Sequence, residues 1–454
     1  MLFGVNICGR FSGSSRRLAI YFYKCILYNG QKSKGGVIMD EFAIRTVTGE
    51  DLIQYHKLAS WSYHTYQVDF GTEEHISRML AGDERVSQEK SAILGNRTRI
   101  EGYYKGDKLV STLRIVAHVA WFDGNRCEMG GIGSVLSDPE ERRTGGVKRL
   151  MKHALERMHA NGQIISHLYP FETSFYRKYG YEHVSYMTQW AIPLESMKKN
   201  HFTGIKRFDN SERMQEDVKR VYEAFSRKYN LAVEKKQSMW EAYFKGKEPY
   251  TTPFYSFLHY SGDMPDGFFT YKAEKSPAEP MTIQVVHLYY ANTDALRNIL
   301  AYLASMGSYA SKASLLLPSD VEISFLLNDP RAAYGRKSVQ RQMLYLGTSR
   351  VVDVEKVLRL AKYNGKGSVC MKVSDPLCPW NDKCFRVVFD ERCVTLEEGG
   401  TPDAQMSVNA FSALILGAFS IEDCGLLEDV EVYGNEENLS KVFYKKPCWI
   451  EDTF

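Results

Sequence analysis

From Glu41 onward, apolar and polar positions follow a strand–helix–strand rhythm. Ala43–Val47 reads as a strand and Glu50–Trp61 as a helix. Ile100–Tyr104 and Lys108–Ala117 predict neighbouring strands, joined by Lys105-Gly106-Asp107, which has hairpin chemistry. Glu128–Leu136 predicts another strand, followed by a turn and a helix over Thr144–Asn161. Within that helix Val147, Leu150, Met151, Ala154, Leu155 and Met158 recur at three- and four-residue steps and mark a buried face. Gly162 is placed to end it at C′, and Ile164–Leu168 is the next strand. This order implies an α/β layered domain.

A fainter copy follows. Phe254–Tyr260, the turn Ser261-Gly262-Asp263 and Gly267–Tyr271 repeat the hairpin, and Met281–Tyr289 precedes a helix from Thr293 to Met306. Ser314–Leu317 and Val321–Phe325 predict two closing strands. A third segment begins near Leu346, with a helix at Asp353–Tyr363 and strands at Val369–Val373, Cys384–Phe389 and Cys393–Leu396. A helical stretch from Asn409 to Phe419 and a polar, acidic tail close the chain.

A length of 454 residues exceeds what one core supports, and 44% hydrophobic with 25% charged residues is a globular profile. No apolar run approaches the roughly 20 residues of a membrane-spanning helix. The net charge of +3 is misleading, because residues 1–38 hold Arg10, Arg16, Arg17, Lys24, Lys32 and Lys34 and no acid. Of 58 basic and 55 acidic residues, removing those six leaves 52 against 55, so there is no basic stripe for nucleic acid. The nine cysteines form no C-x-x-C pair, and Cys378 and Cys384 have no His at metal-ligand spacing. Reduced thiols in a cytoplasmic protein, with no metal site, are the expectation. Lys24 interrupts the apolar run Leu18–Tyr28, which makes a poor signal sequence. Lys34-Gly35-Gly36 just ahead of Met39 can be encoded by a purine-rich ribosome-binding sequence, so residues 1–38 are expected to be a disordered upstream extension.

The chemistry concentrates in Gly133-Ser134-Val135-Leu136-Ser137-Asp138-Pro139-Glu140-Glu141-Arg142-Arg143-Thr144-Gly145-Gly146-Val147. A strand ends, Pro139 turns the chain, and Arg-x-x-Gly opens a helix. A helix start offers unpaired N–H groups and a positive dipole end, and glycines let a pyrophosphate approach. Arg142 and Arg143 add charge-assisted contacts. The strand end can pair with the amides of a pantetheine arm. Downstream, Phe175-Tyr176 is followed by Gly180-Tyr181, an F-Y-x-x-x-G-Y motif.

The two motifs, in this order and spacing, resemble those of GNAT N-acetyltransferases, and the chain from Met39 resembles the Eis (enhanced intracellular survival) family. Ser407–Phe419 is similar to that family's sterol-carrier-like part, and the second copy has Asn292-Thr293-Asp294 where the first has Arg-x-x-Gly. The resemblance implies two tandem GNAT-like mixed-sheet domains, then a sterol-carrier-protein-like α+β domain. The divisions are 1–38, the catalytic domain 39–195, a second GNAT-like domain without a cofactor site at 196–345, and 346–454. It places acetyl-CoA against Val135, Leu136 and Ser137, its pyrophosphate on Arg143, Thr144, Gly145, Gly146, Val147 and Lys148 beside Arg142, and further contacts near Phe171 and Glu172. Tyr176 becomes the general acid and the α-carboxylate of Phe454 the proton acceptor. Gly146-Val147 stands where a leucine pair is common. The family also implies homo-oligomers, often hexamers, and aminoglycosides among the acceptors.

A tyrosine hydroxyl is protonated at neutral pH and can supply the proton that a departing thiolate needs. A free carboxylate is a weak base unless burial strengthens it. Nine acids from Glu422 to Asp452 could attract a cationic amine such as an aminoglycoside, polyamine or protein lysine. The competing reading is a non-catalytic lipid-binding or scaffold protein.

Overall fold

The computed structural model describes residues 37–39, 42–48, 51–63, 98–247, 249–276, 279–331, 338–390 and 393–452. The first module contains β1 (Val37–Met39), β2 (Phe42–Thr46), α1 (Asp51–Tyr63), β3 (Thr98–Lys105), β4 (Lys108–Phe122), β5 (Asn125–Ser137), α2 (Gly146–Ala160), β6 (Ile165–Leu168), α3 (Thr173–Arg177) and β7 (Glu182–Pro193). The second contains β8 (Ile205–Arg207), α4 (Glu212–Ser226), α5 (Gln237–Phe244), β9 (Phe254–Ser261), β10 (Met264–Ser276), β11 (Glu279–Tyr290), α6 (Thr293–Ser305) and β12 (Ala310–Pro318). The remainder holds β13 (Gln340–Val351), α7 (Val354–Leu360), β14 (Gly367–Ser374), β15 (Cys384–Phe389), β16 (Val394–Glu398), β17 (Ala404–Ser407), α8 (Val408–Leu416), β18 (Val430–Val432) and α9 (Glu436–Val442).

These form a 13-stranded sheet, ordered β1-β2-β3-β4-β5-β6-β13-β7-β12-β11-β10-β9-β8, and a five-stranded sheet, β16-β15-β14-β17-β18. The mixed α/β architecture, with two successive mixed-sheet modules and a third α+β module, is the one implied by the sequence and its family resemblance. Local signals explain much of it. Gly106 turns the β3–β4 hairpin at φ +57°. Helix α2 buries Leu150, Met151, Ala154, Leu155 and Met158 completely. It ends as expected at Gly162 (φ +76°), with the amides of Gln163 and Gly162 donating to Met158 and His159 carbonyls.

Other features are non-local. The sequence pattern assigns no element to residues 182–226, where the structure has β7, β8 and α4. The strand expected at Val321–Phe325 is instead a turn and a 3-10 helix at Ser324–Leu326. There the Glu322 carboxylate takes the Ser324 amide, and Phe325 is left exposed despite an alternating pattern. Strand β13 crosses the division set between 345 and 346. It pairs antiparallel with β6 through Thr348–Val351 and with β7 through Gln340–Ser349, and so separates two consecutive strands of the first module. At the other end Val37 and Ile38 pair with Ile44 and Ala43, across the division set at 38; residues 1–36 lie outside the described residues.

The third module shares a core with the first. Phe411, Leu414 and Ile415 of α8 join one buried cluster with Val116, Met129 and Ile165. The seven described cysteines are unpaired thiols. No described helix is long and apolar enough to cross a membrane.

Candidate active site

Strands β5 and β6 run parallel from Met129↔Ile165 to Ile132↔Leu168 and then part. Beyond that point β5 continues to Ser137 paired only with β4 among the described strands. The divergence has a local cause. The β4–β5 register shifts between Thr112 and Arg114, Ser134 takes φ +49°, and the Thr112 hydroxyl donates to the Ser134 carbonyl at 3.1 Å. The edge at Val135, Leu136 and Ser137 therefore lacks a strand partner on its β6 side among the described residues, with Leu136 itself buried.

The chain leaves this edge through a compact turn. Asp138 accepts from the Glu140 amide at 3.0 Å, and the Thr144 hydroxyl donates to the Glu141 carbonyl at 2.8 Å. Arg143 (φ +66°) and Gly145 (φ +85°) are both left-handed, which curls the backbone toward the start of α2. Gly145 is the N-cap and has no side chain to cap with; the Arg149 amide is the first to bond back, to the Gly145 carbonyl at 3.1 Å. Among the described residues the amides of Gly146, Val147 and Lys148 meet no acceptor at this helix start, and Arg142, Arg143, Thr144 and Lys148 are exposed around them. Lys108 holds Asp138, Glu140 and Glu141 at 2.9, 3.6 and 3.7 Å, which draws those acids away from the helix start.

Gly146 is required by space. A Cβ there would lie 2.7 Å from Tyr103 Cδ1 and 2.8 Å from Ser111 Oγ. The glycine at this position therefore seats α2 against β3 and β4.

Tyr176 is buried at 3% exposure on the five-residue helix α3, in the core cluster against which Val135 packs. Its ring meets Phe171 (5.4 Å), Phe175 (5.1 Å) and Tyr181 (6.3 Å) edge-on. Glu172 N-caps α3, accepting from the Ser174 hydroxyl at 2.9 Å, while the Phe171 ring is exposed. Gly180 lies at φ +86°, where a Cβ would meet Arg350 Nη1 at 2.6 Å and Val408 Cγ1 at 2.8 Å. Each residue of the F-Y-x-x-x-G-Y motif thus has a packing or backbone reason.

Phe454 lies outside the described residues, but the segment leading to it reaches the same region. Tyr169, seven residues before Tyr176, donates from Oη to the Asp452 carbonyl at 2.9 Å. Lys235, almost fully buried, pairs with Asp452 at 2.5 Å and Glu451 at 3.4 Å, and Tyr289 donates to Glu451. Burial alone would raise the Glu451 pKa; Lys235, His287 and Tyr289 overcome it and hold it at about 2. Asp452 is pushed upward by burial, against Lys235, with the Glu451 charge adding to the rise. These two tail acids are therefore committed to Lys235. The expected pool of nine attracting acids is divided further, since Asp423 pairs with Lys445 and Glu437 with Lys441 while Glu422, Glu428, Asp429, Glu431 and Glu436 are exposed.

Sequence reasoning missed Lys235, Tyr169, Arg350, Asn409 and two buried imidazoles. His118 on β4 is held down at about 3 by burial and then by the charges of Lys236, His167, Arg114 and Lys235; His167 on β6 falls to about 3 by burial. Between pH 6.5 and about 3 the unfolded chain takes up protons that these folded rings refuse. Stability from both histidines is therefore complete above pH 6.5 and falls as pH drops through that window. His118→Phe is expected to flatten the acid limb of a urea-midpoint profile between pH 7 and 4.5. A variant with an unchanged slope would refute this role.

The second module repeats the splay, with β11 and β12 parallel only from Met281↔Ala310 to Gln284↔Ser314. Its helix start differs. Asn292 caps α6 by accepting from the Ala295 amide at 2.9 Å, and is itself held by Asp266 at 2.9 Å, with Asp294 in the first turn. A filled cap beside two acids offers an anion no comparable cradle.

Residues 43–184 match the model of an acetyltransferase (GNAT) domain, residues 231–351 match a second model of the same description, and residues 354–451 match a sterol carrier protein domain. The chain carries two GNAT domains and a sterol carrier domain. It is an acetyl-CoA-dependent acyltransferase. Solved structures with the same fold include a GCN5-related N-acetyltransferase from Anabaena variabilis (19% identity, TM-score 0.73), covering 91% of this chain and 100% of that one. A probable N-acyltransferase from Enterococcus faecalis (21%, TM-score 0.72) covers 91% and 99%. Eis1 from Mycobacterium abscessus (19%, TM-score 0.72) covers 91% and 100%. A search of curated protein sequences gives no match.

Proposed function

We propose that this acyltransferase is an Eis-like N-acetyltransferase, moving an acetyl group from acetyl-CoA to a primary amine of a cationic acceptor: an aminoglycoside, a polyamine or a lysine. The observation that carries the reading is the end of β5–β6 pairing at Ile132↔Leu168, with the Gly145-led start of α2 following β5 and the helix of Tyr176 following β6. The open edge at Val135, Leu136 and Ser137 pairs with the amides of the pantetheine arm. The amides of Gly146, Val147 and Lys148 receive the pyrophosphate, with Arg142 and Arg143 adding charge and Thr144 shaping the turn. Phe171 and Glu172, between β6 and the helix of Tyr176, add further cofactor contacts. Acetyl-CoA supplies a thioester; the neutral amine attacks its carbonyl, the C–S bond breaks, and Tyr176 gives its proton to the leaving thiolate. The carboxylate of Phe454 takes the proton lost by the amine, two residues beyond the anchor of Asp452 to Tyr169.

Lipid carriage has less support. Helix α8 is buried along nearly its whole length, and its Ser412 hydroxyl accepts from the Val351 amide at 2.8 Å, so protein fills the space behind it.

The test is thiol release from acetyl-CoA by the full chain against aminoglycosides, polyamines and a lysine peptide. Turnover with one class supports the reading and names the acceptor; failure to bind acetyl-CoA overturns it. Gly146→Ala is expected to weaken acetyl-CoA binding and cost about 1–3 kcal/mol of stability by displacing the start of α2. Calorimetric titration and urea denaturation measure both.

A further inference from the structure

We propose that the sterol carrier domain, with the strand β13 that leads into it, is the clamp that positions the tyrosine helix for acetyl transfer. This rests on the reading of Tyr176 as the general acid. Helix α3 has only five residues and cannot hold itself in place. The chain around it is gripped at both ends from residues 350–452. At the C-terminal end, Asn409 donates from Nδ2 to the carbonyls of Arg177 (3.0 Å) and Tyr181 (3.1 Å), and Arg350 donates from Nη1 to the Tyr179 carbonyl at 2.6 Å. Three carbonyls after Tyr176 thereby accept from side chains of another part of the chain, that of Arg177 in addition to the Gly180 amide. Arg350 is locked in turn by Asp375, which accepts from the amides of Leu377 and Cys378 and from Asn381 Nδ2. At the N-terminal end, Tyr169 is tied to the Asp452 carbonyl.

The composition of α8 agrees. Eight of its nine residues are buried, and the remaining one is Asn409, whose side chain reaches the turn after Tyr176. The helix spends its apolar faces on the shared core, its Ser412 on the Val351 amide and its Asn409 on the turn after Tyr176. None of these contacts touches the cradle at 138–148, so loosening the clamp acts on the acid and leaves the pyrophosphate contacts intact.

Asn409→Ala, Asn409→Asp and Tyr169→Phe in the full chain test this by hydrogen exchange over residues 169–181 and by steady-state kinetics. Asn409→Asp keeps the shape and loses the donor, so it must behave as Asn409→Ala does. The expected result is exchange at the Tyr179 and Tyr181 amides faster by ~10-fold, with kcat down ~10-fold or more and the KM for acetyl-CoA within about twofold. Exchange and kcat at wild-type levels would overturn the proposal. So would faster exchange with kcat unchanged, or exchange rising throughout the molecule with KM rising alongside, which assigns Asn409 to stability alone. A wild-type chain that releases no thiol overturns the acetyl-transfer reading instead, and the exchange measurement still decides whether the clamp exists.

Discussion

Tyr176→Phe is expected to lower kcat about 100-fold or more while leaving acetyl-CoA affinity unchanged. General acids typically contribute 10²- to 10⁴-fold, and the substitution removes only the hydroxyl. The ring contacts with Phe171, Phe175 and Tyr181 are made by carbon faces and edges that Phe keeps. The cap at Glu172 and the bonds from the Tyr179 and Tyr181 amides to the Tyr176 carbonyl do not involve the side chain's hydroxyl. Folding stability is therefore expected to change by about 1 kcal/mol or less. Paired measurements of kcat and of the acetyl-CoA dissociation constant check this. A kcat within threefold of wild type would remove Tyr176 from the acid role and leave it as a core aromatic.

Arg350→Met is expected to destabilise the protein by about 3–5 kcal/mol, because it leaves a carboxylate buried without its cation. Arg350 is fully buried and Asp375 is 1% exposed. Asp375 keeps the Leu377 and Cys378 amides and Asn381 but loses its only charged partner within ion-pair distance among the described residues. The Tyr179 carbonyl also loses its donor. Pairing the change with Asp375→Leu removes the stranded charge, and the double variant is expected to recover most of the loss. Urea denaturation of the three proteins measures it. If the single variant costs under about 1 kcal/mol, or the double variant is the worse of the two, the ion pair is not a main support of the fold around Arg350.

The cradle and the tyrosine segment were both legible in residues that are close in sequence. Gly145, Gly146 and the Phe175–Tyr181 motif are constrained by backbone angles and by neighbours a turn or a strand away. The supports of the site were not. Lys235 reaches Asp452 across 217 positions, Arg350 reaches Tyr179 across 171, and Asn409 reaches Tyr181 across 228. Nothing in the sequence around Lys235 or Asn409 marks either as more than an ordinary polar residue. The nine acids of the tail show the opposite error: a run that reads as one attracting surface is spent in part on internal ion pairs.

The sequence by itself determined the elements whose signals close within a few residues: the β3–β4 turn, the buried stripe and glycine stop of α2, the capless helix start and the two repeats. Such features follow from φ preferences, side-chain period and local hydrogen bonding, which act over a turn or two. Only the tertiary structure decided that β13 would enter between β6 and β7, or that a third module would hold the helix of Tyr176. Strand edges carry the same backbone donors and acceptors whatever their sequence. The choice among them falls to packing between residues far apart in the chain, such as the core that α8 shares with β4, β5 and β6.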